Sequence, residues 1–139
     1  MKKLSVLILI NMNPNKLGAL EEYALRLSTE LIQKGHFASV GFSKAPPDWL
    51  GDKFKAFGIE VIEFNSSKPV LAFIRDMREA IRKYGINILH ATFYPFYSPI
   101  LILATIGNGC KLIYSDQESR ISHPQKGLRN LVRYLRNRL

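Results

Sequence analysis

A doubly wound α/β domain with a parallel sheet is the fold class this sequence predicts. Three observations lead there. Short runs of apolar, largely β-branched residues recur along the chain, and segments with helical periodicity separate them. Glycine stands where several of those segments stop, just before the next apolar run. The first run, Leu4–Ile10, is nearly continuous, as in a strand covered on both faces. Strands alternating with helices imply parallel pairing and right-handed crossovers. Ligands of such sheets bind beyond the carboxyl ends of the strands.

The elements follow in order. Leu4–Asn11 is the first predicted strand. A loop with Asn13, Pro14 and Gly18 leads into a helix over Leu17–Lys34, whose stripe is Leu20, Tyr23, Ala24, Leu27 and Leu31. Ala38–Phe42 is the second strand. Pro46-Pro47 marks a loop, and Asp48–Phe57 a short helix. Ile59–Phe64 is the third strand. Lys68–Tyr84 carries the clearest helical pattern, with Val70, Phe73, Ile74, Met77, Ile81 and Tyr84 at spacings of three and four. Ile86–His90 is the fourth strand, followed by an aromatic loop over Ala91–Tyr97. Ser98-Pro99 is a good helix start. The helix it opens, Ile100–Ile106, is apolar on every side and needs a cover. Lys111–Ser115 is the fifth strand. After a loop over Asp116–Gln125, the pattern predicts a last helix from about Gly127 to Leu139. Its stripe is Leu128, Leu131, Val132, Leu135 and Leu139, with Arg129, Arg133, Arg136 and Arg138 around it.

The 139 residues suffice for one domain with a real core, and 47% hydrophobic content with 22% charge excludes disorder. Cys110 is the only cysteine, so no disulfide forms within the chain, which fits a reducing, cytoplasmic setting. Lys2-Lys3 ahead of Leu4–Ile10 mimics a signal peptide, but Ser5 interrupts the run and no small-residue cleavage site follows. Phe93–Ile106 is broken by Pro95 and Pro99 and is too short to span a bilayer. The net charge of +9 is uneven: residues 1–118 hold 14 Lys/Arg against 11 Asp/Glu, and residues 119–139 hold six Lys/Arg and no acid. That terminal excess suits an anionic membrane face. With no nucleic-acid motif present, nucleic acid is not expected as a partner.

The richest feature is the turn before the first helix. A strand, a glycine and a helix N-terminus make an anion-binding corner, because free N–H groups and the helix dipole both favour negative charge. Neither the dinucleotide fingerprint G-x-G-x-x-G nor the P-loop pattern occurs, which disfavours NAD, FAD and nucleoside triphosphate hydrolysis. His90, placed at the end of the fourth strand, is a candidate donor or base at the ligand edge. Asp116 and Gln117, after the fifth strand, are candidates for a base or for sugar contacts. His36 sits at a helix-to-strand junction and reads as structural. Three scattered histidines and one cysteine make no metal site.

Taken together, three segments resemble the N-terminal domain of family-4-type glycosyltransferases. They are Gly18-Ala19-Leu20-Glu21 with its helix and Lys34-Gly35-His36, then Asn87-Ile88-Leu89-His90-Ala91-Thr92, then Lys111–Gln117. The match runs in order over essentially the whole chain. It implies one Rossmann-like half of a two-domain GT-B enzyme, the half that holds most of the acceptor. By that resemblance Gly18 and Ala19 approach the donor's diphosphate, His90 lines the cleft, and Gln117 takes the place of an active-site histidine. Asn15, Thr92, Tyr94 and Arg120 are the expected acceptor contacts. Ala19 replaces the family's second glycine, Thr92 a histidine, and Gln117 a proton-exchanging imidazole.

The resulting expectation is sugar transfer from a nucleotide-sugar donor to a glycan or lipid acceptor. No metal or cofactor is implied. Activity would require a C-terminal, donor-binding half, whether part of a longer chain or a separate partner. The alternative expectation is a non-catalytic module that docks on a partner protein or an anionic membrane.

Overall fold

The computed structural model describes residues 2–94 and 98–115. Its elements are β1 (Ser5–Ile10), α1 (Ala19–Gln33), β2 (Phe37–Phe42), α2 (Asp48–Ala56), β3 (Glu60–Glu63), α3 (Val70–Lys83), β4 (Ile88–Thr92), α4 (Pro99–Thr105) and β5 (Lys111–Ser115). The strands form one sheet in the order β3-β2-β1-β4-β5, and every pairing is parallel. This is the doubly wound α/β fold that the alternation of strand and helix predicts. The last predicted helix, 127–139, lies outside the described residues.

β1 is the middle strand, and all six of its residues are buried. It pairs with β2 on one side, Val6 opposite Ala38, and with β4 on the other, Val6 opposite Ile88. Its side chains alternate between two cores. Val6, Ile8 and Ile10 pack with Ala24 of α1 and with Leu50 and Phe54 of α2. Leu7 and Leu9 pack with Phe73, Met77 and Ile81 of α3 and with Leu101 and Ala104 of α4. The architecture is three layers, with the sheet in the middle. A continuous apolar strand is what such a position demands.

The strongest periodicity in the sequence produces α3, which buries Phe73, Met77, Ala80 and Ile81 against the sheet. It stops in a left-handed turn at Gly85, φ +58°. There the Ile86 N–H donates to the Ile81 carbonyl at 2.9 Å, closing the helix end. That closure corrects the expected fourth strand. Ile86 belongs to the cap of α3, and Asn87 works as a clip: its Oδ1 accepts the Ser5 N–H at 3.0 Å, and its Nδ2 donates to the Lys3 carbonyl at 3.2 Å. β4 therefore begins at Ile88 and ends at Thr92, and His90 is its central residue rather than its last.

α4 starts at Ser98-Pro99 as expected, although the Ser98 side chain makes no capping bond. The helix is half covered. Leu101, Ala104 and Thr105 are buried, while Ile102, Leu103 and Ile106 face outward at 41%, 52% and 62% exposure. His36 has the structural role expected of it: its Nδ1 accepts the Leu4 N–H at 3.2 Å, at the start of β1.

Two positions test the packing. A Cβ on Gly41 would lie 2.7 Å from the Phe64 ring. Gly41→Ala is expected to cost about 1–3 kcal/mol in urea unfolding, because the ring must leave its place against the sheet. Ser28 is fully buried in α1, and its hydroxyl has no hydrogen-bond partner among the described residues. Ser28→Ala removes that uncompensated group and improves helix propensity, so it should stabilise the protein by about 1 kcal/mol in the same measurement.

Candidate functional site at the carboxyl edge of the sheet

Three loops meet where β1, β2 and β4 end. The Asn11 N–H donates to the Thr92 carbonyl at 3.3 Å, and its side-chain amide donates to the Phe93 carbonyl at 3.4 Å. The Ser43 hydroxyl donates to Asn13 Oδ1 at 3.2 Å. The loop after β1 is thus held to its neighbours on both sides. The first crossover here runs from β1 to β2, and the strand on the other side of β1 is β4. Such a switch point opens a crevice for ligands at the carboxyl edge.

α1 opens onto this edge, with Gly18 as its N-cap residue. Gly18 adopts an extended backbone, φ −98° and ψ −174°, so its conformation does not require glycine. The requirement is spatial. The Glu21 carboxylate reaches back and accepts the Gly18 N–H at 3.1 Å, half of a capping box. A Cβ on Gly18 would stand 3.1 Å from that same carboxylate oxygen. Glu21 itself is only 4% exposed. The expected close approach at Gly18 is therefore to an internal carboxylate, and the Gly18 N–H is already committed. The N–H groups of Ala19, Leu20 and Glu21 have no acceptor among the described residues. They are the donors left at this corner.

His90 lies on the α1 side of the sheet, opposite Ile8 of β1 and Ile113 of β5. It is 8% exposed. The Tyr23 ring meets it edge-on, with centroids 6.3 Å apart and planes at 81°. His90 Nε2 and the Ser115 hydroxyl share a hydrogen bond. Burial pushes the imidazole below its ordinary value of 6.5, because the charged ring loses its hydration. A neutral imidazole bonded to a hydroxyl can orient that hydroxyl or take its proton. No carboxylate among the described residues orients the other ring nitrogen. Beyond His90 the α1 side of β5 opens out, with Ile113 47% exposed.

The remaining expected residues divide. Asn15 and Ala19 are exposed at the edge. Thr92 is a correction: it is fully buried, and its hydroxyl donates to the Leu9 carbonyl at 3.0 Å. It ties β4 to β1 and has no surface to offer an acceptor. Tyr94 is a second correction. It packs against the α3–α4 core, on the face opposite His90, and burial raises its hydroxyl to about 12. Asp116, Gln117 and Arg120 lie outside the described residues. Glu21, Tyr23 and Ser115 are site residues that sequence reasoning did not single out. The Gly-x-x-Glu spacing of a capping box was the available signal for Glu21. Among the described residues no group of His, Cys, Asp and Glu could hold a metal ion.

No protein-family model matches this chain, and no curated protein sequence does. Solved structures do. A glycosyltransferase from Rickettsia africae ESF-5 superposes with a TM-score of 0.63 at 20% identity, over 81% of this chain and 30% of that one. Phosphoribosylglycinamide formyltransferase from Bacillus halodurans superposes with a TM-score of 0.55 at 13% identity, over 97% of this chain and 66% of that one. Glycinamide ribonucleotide transformylase 1 from Symbiobacterium toebii gives 0.50 at 14% identity, over 73% and 47%. The chain thus spans about a third of the glycosyltransferase it resembles. These similarities establish a Rossmann-like fold, shared with a glycosyltransferase and with formyltransferases.

Two measurements probe the site. Gly18→Ala should destabilise the chain by about 1 kcal/mol, and the penalty should shrink in a Glu21→Ala background, where the contact is gone. The His90 ring should titrate below 6.5 by NMR. The sign follows from proton uptake: below that value the unfolded chain binds a proton that the folded chain resists. Stability should therefore fall as pH drops through 6.5 toward the lower folded value, and His90→Asn should flatten that part of the profile.

Proposed function

We propose that this chain is the acceptor-side wall of a two-domain glycosyltransferase. In this reading a sugar passes from a nucleotide-sugar donor to a glycan or lipid acceptor in a cleft completed by a second, donor-binding α/β domain. The observation that carries the reading is the carboxyl-edge corner. Donor N–H groups of α1 face the edge beside Asn13, Ser43 and Asn15, in a fold shared with a glycosyltransferase. Polar loops and backbone donors suit a polyhydroxylated ligand. The Glu21 carboxylate refines the expected role of Gly18 and Ala19. It opposes a second negative charge at Gly18 itself, which leaves the Ala19 and Leu20 N–H groups for a diphosphate. His90 supports the site from one layer below, through its hydrogen bond to Ser115. One wall alone positions only one substrate, so the chain by itself should bind weakly and transfer nothing.

The formyltransferase similarity supports a second reading, because it extends over 97% of this chain. There the same corner would take the phosphate of a phosphoribosyl substrate. Chemical-shift mapping of the labelled chain separates the two. Nucleotide-sugars are expected to shift the amides of Asn15, Ala19 and Leu20 at millimolar concentrations, and Glu21→Gln should strengthen that effect. Shifts from phosphoribosylglycinamide, with none from nucleotide-sugars, would replace the first reading by the second. Silence at all three amides with both ligands would end both.

A further inference from the structure

An unexplained feature lies away from the carboxyl edge, on the outer surface of the α3–α4 layer. A groove of about 410 Å³ runs along α3, lined by Leu71, Ile74, Arg75, Arg78, Glu79 and Arg82. Leu71 is 81% exposed, the highest value among the large apolar residues described. Val70 beside it is also exposed. On the α4 side, the Arg78 guanidinium donates to the Leu103 and Ile106 carbonyls, both at 2.9 Å. Those two residues, with Ile102, turn their side chains to solvent. Arg78 thereby fixes an apolar ridge of α4 against the groove and satisfies carbonyls at the end of that helix. Isolated exposed leucines need no explanation, but aliphatic side chains along two packed helices do.

The charge around this surface selects its occupant. Arg75, Arg82 and Lys83 stand exposed on α3. Asp76 is already engaged by Lys68 at 2.7 Å and by Arg75 at 3.1 Å, which leaves Glu79 as the one uncommitted acid among the groove residues. A second copy docked face to face would set arginines against arginines. The chain's own terminal stretch, 119–139, carries six Lys/Arg and no acid, so its charge does not complement this face. A surface that is negative and accepts aliphatic side chains at shallow depth meets both conditions.

We infer that the α3–α4 face docks on an anionic lipid surface, with Leu71, Leu103 and Ile106 entering the headgroup boundary and Arg75 and Arg82 contacting acidic headgroups. The inference does not depend on the transferase reading. No described helix is long and apolar enough to cross a membrane.

The test is co-sedimentation of the full chain with phosphatidylcholine vesicles, with and without phosphatidylglycerol. Binding to the anionic vesicles alone, weakening as salt is raised, is expected. The triple variant Leu71→Ser/Leu103→Ser/Ile106→Ser should lower the partition coefficient at least ~10-fold. Arg75→Gln and Arg82→Gln should each lower it roughly fivefold. Arg129→Gln/Arg133→Gln/Arg136→Gln should leave the apolar variant's effect in place. Wild-type binding by the triple serine variant would overturn the inference and assign attraction to the terminal arginines. Absence of binding to anionic vesicles, or equal binding to neutral ones, would also overturn it. So would lipid-free dimerisation that the serine substitutions abolish. If the triple variant fails to fold, Leu103→Cys in a Cys110→Ser background, carrying an environment-sensitive fluorophore, reads the same contact. A blue shift on anionic vesicles supports docking, and an unchanged spectrum overturns it.

Discussion

Burial of β1 on both faces is the constraint from which the rest of the molecule follows. Six consecutive residues carry no solvent-facing side. The five apolar ones must find apolar partners above or below the sheet (the Ser5 hydroxyl donates to the Tyr84 carbonyl), and each backbone amide and carbonyl must find a neighbouring strand. The first need calls for two helical layers, α1 and α2 on one side, α3 and α4 on the other. The second places β2 and β4 on either flank in parallel register. Once β1 is central and its flanking strands run with it, the loops after β1, β2 and β4 have to meet at one edge.

That edge shows why a sequence pattern and a structural role can diverge. Gly18 reads as a place for a ligand to come close, and it does sit at a helix N-terminus. Its smallness leaves room for Glu21, three residues on, to reach back and place a carboxylate oxygen 3.1 Å from where a methyl would stand. The corner keeps its helix dipole and three backbone donors, and gains a buried acid that sharpens what it accepts. A neutral hydroxyl is welcomed by both; a phosphate is welcomed by the donors and resisted by the acid.

Much of the fold was legible because periodicity is a strong signal when a helix has one buried face. The stripe from Val70 to Tyr84 and the run from Leu4 to Ile10 define α3 and β1 to within two residues at each end. The start of β4 was not legible, since Ile86 reads as a strand residue yet closes the cap of α3, and Asn87 after it serves as a side-chain clip. Alternation along β4 does put Thr92 on the same side as His90, beneath α1. Which way its hydroxyl turns depends on the Leu9 carbonyl of another strand, information no local window contains. The packing of Tyr94 was not legible for a related reason: an aromatic in a loop reads equally as a ligand platform or a core plug, and only the packing of α3 and α4 decides. The half-open state of α4 also lay beyond the sequence, because an all-apolar helix does not reveal which of its sides is covered.

Phe93, immediately after β4, has a left-handed backbone, φ +59°, the only non-glycine residue so placed among those described. For a bulky aromatic that conformation costs about 1–2 kcal/mol. The strain persists because Asn11 grips the Phe93 carbonyl from β1's loop. The peptide leaving β4 is therefore pinned on both sides, by the Asn11 amide on the Phe93 carbonyl and by the Tyr94 ring packed against the α3–α4 core. The backbone cost at Phe93 is thus met by contacts in two layers of the fold, which ties the two banks of the carboxyl edge to one geometry.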